Sequence, residues 1–285
     1  MEQGGRRKTR SGHLVMNKNA YVTLVCGDSY IPGALALAKS LRNVNSQAPL
    51  VVMYRDSSLN LSDLESEGCL LQSVTPLTLS ADFCFRHSRD QQHKNNPFTK
   101  GTKPSFHNPL DNFLKLRLWE LEQFDNVVFL DSDTIVLQNI DVLFSYPEGA
   151  AAPNVYQTLS DFQRMNSGVF TAKPNKNTFD RMCAALDLPD AYWPRTDQTF
   201  LQSFWPQWHG LPYLYNTLQY VFFNLPELWV WSDIKVLHYQ YEKPWQEEHP
   251  RRELLAPLID LWWRVYEGRP LPESISPSGQ QVHCD

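Results

Sequence analysis

The sequence predicts an α/β fold on a largely parallel sheet, and three observations predict it. The first 75 residues alternate short β-branched runs with a helical stretch, the order that builds strand–helix–strand units. The run "NVVFL" at 126–130 is apolar along its whole length, as expected of a strand covered on both faces. At 285 residues the chain is long enough to bury a sizeable core.

Residues 1–18 are basic and polar, lack the apolar core of a signal peptide, and read as a disordered tail. "YVTLVC" (21–26) is a strand, and "GDSY" (27–30) is a turn in which Asp28 or Ser29 caps the next helix. That helix, "IPGALALAKSLRNV" (31–44), is rich in small residues and has Pro32 in its first turn. "LVVMYRD" (50–56) and "CLLQSV" (69–74) are the next two strands. Residues 86–110 are polar, basic and rich in Pro, His and Asn, and read as a loop, either a lid or an inert insertion. "DNFLKLRLWELEQF" (111–124) predicts an α-helix with Leu114, Leu118 and Leu121 on one face, flanked by Phe113 and Trp119. After "NVVFL", "GAAAPN" (149–154) is a short inner strand, "NSGVFTAKPN" (166–175) a strand then a turn, and "NTFDRMCAALDL" (177–188) a helix. "TDQTFLQSF" (196–204) predicts a helix capped by Thr196 or Asp197. Beyond residue 205 the chain is irregular and aromatic, with "IKVLHY" (234–239) as a last strand. The expected organisation is a single domain over 19–270 between the N-terminal tail and a C-terminal tail, 271–285.

Composition narrows the function classes. A net charge of −5 argues against a nucleic-acid-binding surface. Five scattered cysteines, odd in number and in no C-x-x-C, read as free thiols of a reducing compartment. No run approaches the ~20 apolar residues of a membrane span. A soluble, cytoplasmic protein is expected, and the sequon at Asn60-Leu61-Ser62 is taken as chance.

The chemistry-bearing feature is "DSD" directly after the buried strand. Ligands of open α/β sheets bind outside the carboxyl ends of strands, where Asp131 and Asp133 stand. In extended chain residues i and i+2 point the same way. Two such carboxylates repel unless a cation separates them, and hard divalent ions take carboxylate oxygens together with phosphate and water. The competing reading is an Asx-turn that only caps the next segment. His238 ends a second apolar run, and imidazole suits Mn²⁺ better than Mg²⁺. In the adjoining "YQYEKPW", Lys243 is a phosphate-binding point charge, and Pro244 sets the chain for Trp245 to pack.

These residues resemble family 8 retaining glycosyltransferases, the group containing glycogenin and plant galactinol synthase. The resemblance runs from about Tyr21 to Trp245. It is carried by "YVTLVCGDSYIPGALALAKSL", "FLKLRLWELEQFDNVVFLDSDTIVLQNIDVLF", "NSGVF", "DQTFLQSF" and "HYQYEKPW", the last similar to a His-x-x-Gly-x-x-Lys-Pro-Trp signature. It implies a GT-A, Rossmann-like mixed sheet flanked by helices, a UDP-sugar donor, and Mn²⁺ with Mg²⁺ as the other choice. By matching position, Asp131, Asp133 and His238 would hold the metal. Leu24, Val25 and Tyr30 would hold uracil and ribose. Lys115 and Lys243 would touch the donor's sugar or phosphates, with Ser132 also in the donor site. Asn166, Ser167, Asp197 and Gln198 would surround the sugar, Asp197 and Gln198 as the catalytic pair.

Two departures stand out. The last signature is one residue short, and Tyr241 occupies the Gly position, so the diphosphate wrap is expected to differ. Glycogenin glycosylates its own tyrosine just before a Leu-Pro; here alignment on Leu225-Pro226 puts Phe222 there, with Tyr220 out of register. The expectation is a Mn²⁺-dependent retaining hexosyltransferase whose acceptor is a carbohydrate or other small molecule rather than its own tyrosine. The alternatives are a nucleotidyltransferase, for which "CGDSYIPG" is a poor phosphate loop, and a non-catalytic nucleotide-sugar-binding protein. Trp193, Trp205, Trp208, Trp229 and Trp231 read mainly as core or as contacts of a homodimer, and otherwise as sugar-stacking surfaces.

Overall fold

The computed structural model describes residues 18–95 and 103–277. The readings of residues 1–17 and 278–285 as tails lie outside the described residues. Among the described residues, ten strands form two sheets: β1 (Asn19–Val25), β2 (Leu50–Tyr54), β3 (Leu70–Ser73), β4 (Asn126–Leu130), β5 (Thr134–Val136), β6 (Ala150–Pro153), β7 (Met165–Ala172), β8 (His209–Gly210), β9 (Thr217–Leu218) and β10 (Val236–His238). The large sheet has the order β3-β2-β1-β4-β7-β6-β8. Its β3-β2-β1-β4 half is parallel, and β7 joins antiparallel to both β4 and β6, so the sheet is mixed. The small sheet is β5-β10-β9.

The helices are α1 (Ile31–Asn43), α2 (Ser62–Ser66), α3 (Ala81–Arg86), α4 (Arg89–Asn95), α5 (Lys176–Leu186), α6 (Thr196–Phe204), α7 (Val221–Asn224) and α8 (Ala256–Glu267). Strand alternation splits the core across the large sheet. Val22, Leu24 and Phe129 face the Phe113–Trp119 segment and α5, whereas Tyr21, Val25, Val128 and Leu130 face α1. A third cluster gathers α8 around Trp262 and takes in Ile275, whose carbonyl accepts from Trp229 Nε1 at 2.7 Å.

Several elements differ from expectation. Residues 109–120 are a 3₁₀ helix rather than an α-helix. The side chains show why a three-residue repeat fits. Phe113, Leu116 and Trp119 recur every third residue and are fully buried. Lys115, Leu118 and Leu121 form a second buried stripe, and Arg117 pairs with Glu120 at 2.8 Å along the third. The stretch read as one loop, 86–110, contains α4. Neither Asp28 nor Ser29 caps α1: both lie in a 3₁₀ turn and Tyr30 is the N-cap, without a side-chain bond. The N-cap of α6 is Arg195, not Thr196 or Asp197, again without one.

Candidate active site

The site lies at the carboxyl ends of β1 and β4, where the two sheets meet. β4 delivers Asp131 and β5 begins at Thr134, so Asp131-Ser132-Asp133 is the hinge between sheets. Antiparallel pairing of β10 on β5 sets His238 opposite Thr134, next to Asp133. Asp131 N–H donates to Gly168 O at 2.8 Å and Tyr239 N–H to Asp133 O at 2.8 Å, which fastens both ends of the hinge. α1 approaches so closely at Gly33 that a Cβ there would sit 2.3 Å from Ser132 O. Trp245 Nε1 donates to Ser29 O at 2.9 Å, anchoring the Lys243 loop on the start of α1.

His238 Nε2 lies 3.2 Å from Asp133 Oδ1 and 3.8 Å from Asp131 Oδ2. Lys115 Nζ pairs with Asp131 Oδ1 at 2.8 Å and Asp197 Oδ2 at 2.9 Å, and Lys243 Nζ pairs with Asp133 Oδ2. Lys115 and Lys243 pair with the three carboxylates, and Lys103 adds a third ammonium to the same cleft. The oxygens of Asp131 and Asp133 and a nitrogen of His238 lie within 4.8 Å of one another. His238 Nε2 is buried without an aligned hydrogen-bond partner. Two carboxylates and an unengaged imidazole nitrogen are a donor set that fits a divalent cation.

Burial pushes both carboxyls up. At Asp131 it outweighs the Lys115 ammonium, and the group sits above the ordinary carboxylate value. At Asp133 the adjacent Lys243 and His238 outweigh burial and hold it well below. Burial alone would lower the Lys115 ammonium, but Asp131 and Asp197 raise it. Burial, then the nearby Lys243, brings the Lys103 ammonium down to about 8. Burial and neighbouring cations also push His107 well below its ordinary value, so it is neutral at pH 7.

These residues open into a cleft of about 390 Å³. Of the residues singled out from sequence, Leu24, Tyr30, Asp131, Ser132, Asp133, Ser167, Asp197, Gln198, His238 and Lys243 line it. Lys115 lies just beneath, reached through Asp131 and Asp197. The side chain of Val25 faces the opposite side of β1, as strand alternation requires once Leu24 faces the cleft. Asn166 belongs to β7 and is fully buried behind His238 rather than lining the cleft. No tryptophan lines the cleft among the described residues.

The sequence reading missed Lys103 and His107, which bring the segment after α4 to the cleft, with Tyr30 Oη 3.2 Å from His107 Nδ1. It also missed a wall of Tyr156, Arg164, Arg195 and Gln240. The His and Lys content of 86–110 was the available signal for the first group; the second leaves no local signature. Tyr241, at the Gly position of the signature, keeps a glycine-like backbone, φ +68°, and its ring faces the cleft.

A profile of glycosyl transferase family 8 matches residues 21–249. The chain belongs to glycosyl transferase family 8. It is similar to a putative UDP-glucuronate:xylan α-glucuronosyltransferase 5 of Arabidopsis thaliana, 30% identical over 92% of this chain. The chain spans 44% of that relative's length. It is also similar to galactinol synthase 4 of the same plant, at 26% identity over 92% of this chain and 85% of that one. Among solved structures, the galactosyltransferase LgtC, crystallised with donor and acceptor sugar analogues, aligns over 90% of this chain and 98% of its own. The TM-score is 0.54 at 14% identity, which speaks to the fold. The expected GT-A arrangement is the observed one. Among the described residues no helix is long and apolar enough to cross a membrane.

Proposed function

We propose that the protein moves a hexose from a UDP-sugar to a small-molecule or carbohydrate acceptor, with retention at the anomeric carbon and with Mn²⁺ as its metal. The observation that carries this reading is the convergence of Asp131, Asp133, His238 and Asp197 in one cleft, with Lys115 beneath them bridging Asp131 and Asp197. Asp131, Asp133 and His238 would hold a divalent cation, which would supply Lewis-acid charge to the diphosphate leaving group. The chain supplies the rest. Leu24 and Tyr30 flank the uridine. Lys243, beside Asp133, and Lys103, whose ammonium stands 5.2 Å from the Tyr241 ring centre, offer positive charge to the phosphates. Asp197, bridged to Asp131 through Lys115, presents a carboxylate to the positive charge that develops on the sugar as UDP leaves. The wall of Tyr156, Arg164, Arg195 and Gln240 lies outside these donor contacts, and we assign it to the acceptor.

The test is incubation with Mn²⁺ and a panel of UDP-sugars. Release of UDP is expected, lost on chelation and restored by Mn²⁺ better than by Ca²⁺. Asp133→Ala should abolish it; unchanged hydrolysis in that variant would sink the proposal. Release of pyrophosphate from a nucleoside triphosphate would instead favour nucleotidyl transfer.

A further inference from the structure

A chain of buried amides stands behind His238, and its orientation can be deduced from one unambiguous donor. The backbone N–H of Gly168 donates to Asn166 Oδ1 at 2.7 Å. That sets the Asn166 amide, whose Nδ2 donates to Asn154 Oδ1 at 2.7 Å. Asn216 Nδ2 donates to the same Asn166 Oδ1 at 2.9 Å. Its oxygen is then the atom facing His238 Nδ1, 2.9 Å away. An amide oxygen only accepts, so Nδ1 carries the imidazole proton. In the neutral ring Nε2 is left with a lone pair, and that nitrogen is the one turned to Asp131 and Asp133. Asn154, Asn166, Asn216 and His238 are all buried. The ring lies flush on the backbone, since a Cβ at Gly168 would meet His238 Cε1 at 2.3 Å and Nδ1 at 2.6 Å.

We infer that Asn216 is a positioning residue for the metal: it holds His238 as the Nδ1–H tautomer, with its lone pair turned to the carboxylates, using the β7 backbone at Gly168 as the fixed reference. The inference rests on the metal site of the proposed function. It explains why the opposite tautomer is not used, although an Nε2–H would satisfy Asp133. An Nε2–H would leave Nδ1 and the Asn216 oxygen facing each other as two acceptors. The partner on the far ring nitrogen decides which nitrogen can bind a metal. It also gives β9 a function. That two-residue strand pairs with β10 and carries Asn216, its immediate predecessor in sequence, alongside His238.

Two measurements test this. In metal-free protein labelled with ¹⁵N-histidine, with His238 assigned against His238→Gln, the long-range ¹H–¹⁵N pattern should be that of the Nδ1–H form. An Nε2–H pattern in the wild type overturns the inference and needs no variant that folds. Second, Mn²⁺ affinity measured by EPR should fall about 10- to 100-fold in Asn216→Ala, the usual effect of losing such an outer partner. Asn216→Asp keeps an acceptor for Nδ1–H and should stay nearer to wild type. Wild-type binding with unchanged affinity in Asn216→Ala overturns this inference alone. Failure of the wild type to bind Mn²⁺ overturns the metal reading as well.

Discussion

Thr196 has φ +48°, a left-handed conformation that a β-branched residue rarely adopts and that costs roughly 1–3 kcal/mol. Its hydroxyl accepts from Asn112 Nδ2 at 2.8 Å and donates to Asp197 Oδ1 at 2.9 Å, so the strained residue is tied on both sides. The twist at the start of α6 turns Asp197 and Gln198 inward, where both line the cleft. With Arg195 as N-cap, Asp197 does not serve α6 as a cap, and the competing role left to it is counter-ion to Lys115. Asp197→Asn keeps the shape and removes the charge that both roles use, so the readouts tell them apart: a counter-ion lost to Lys115 lowers the melting temperature, and a lost transition-state stabiliser lowers kcat. If the carboxylate stabilises charge in the transition state, kcat should fall at least about a hundredfold, roughly 2.7 kcal/mol, while UDP binding changes little. Transfer at a near-normal rate would make Asp197 a partner of Lys115 only. Nothing in "PRTDQ" announces the left-handed turn, since a threonine there reads as an ordinary cap. Asp131 and Asp133 were legible because an apolar run carried them to a strand end. Asn216 was not, because its role exists only once β9 and β10 are in register.

At the scale of elements, Asp141 joins three parts of the chain. Its carboxylate accepts from Tyr21 Oη of β1 at 2.7 Å, from Ser46 Oγ at 2.8 Å, from Gln47 N at 3.2 Å, and from Asn139 Nδ2 at 3.3 Å. Thus β1, the α1–β2 connection and the segment after β5 share one acceptor. Burial would raise this carboxyl, but the Tyr21, Ser46, Gln47 and Asn139 donors outweigh it and hold it below the ordinary value. A depressed folded-state value means that the stabilisation is full above the unfolded carboxyl's value, about 3.9. It is lost as pH falls through the lower folded value. Asp141→Asn should therefore cost about 1–2 kcal/mol at pH 7, a modest figure because the group is half-exposed. The difference from wild type should shrink between about pH 5 and pH 2 in urea melts. A difference independent of pH would mean that shape rather than charge matters at Asp141. Elsewhere the strands at β1, β2, β4, β6 and β7 were legible from their apolar runs. The 109–120 helix was readable as a helix but not as 3₁₀, because its leucines at 114, 118 and 121 fit a 3.6-residue repeat as well. Those leucines are buried, as are Phe113, Leu116 and Trp119, so the three-residue repeat shows only in the backbone of the folded chain.

At the scale of the molecule, the cleft is assembled from segments far apart in sequence: the end of β1, the segment at 103–112, the β4–β5 hinge, the start of α6 and the loop after β10. Sequence blocks foretold the hinge, α6 and the β10 loop because each carries ligand-type residues in a dense local pattern. The wall that includes Tyr156, Arg164 and Arg195 was not foretold, since these are single residues on irregular chain that only the tertiary fold brings together. The same assembly bears on self-modification. A tyrosine that attacks the donor must bring its hydroxyl into the cleft. Phe222, at the position aligned with the self-modified tyrosine of glycogenin, has no hydroxyl and is buried in the α8 cluster. Tyr220 does have one, but its ring is fully buried and its hydroxyl donates to Glu242 Oε2 at 2.6 Å. Burial, then this bond to Glu242, raises the phenol far above its ordinary value, so it is a poor nucleophile where it stands. Intact-mass spectrometry after incubation with Mn²⁺ and UDP-sugar should therefore show no added hexose, while UDP is still released. A hexose ladder mapped to Tyr220 would mean that the segment from Tyr220 to Asn224 leaves its packed position during turnover. A ladder mapped to Tyr156 or Tyr241, which already line the cleft, would make the cleft's own lining the substrate.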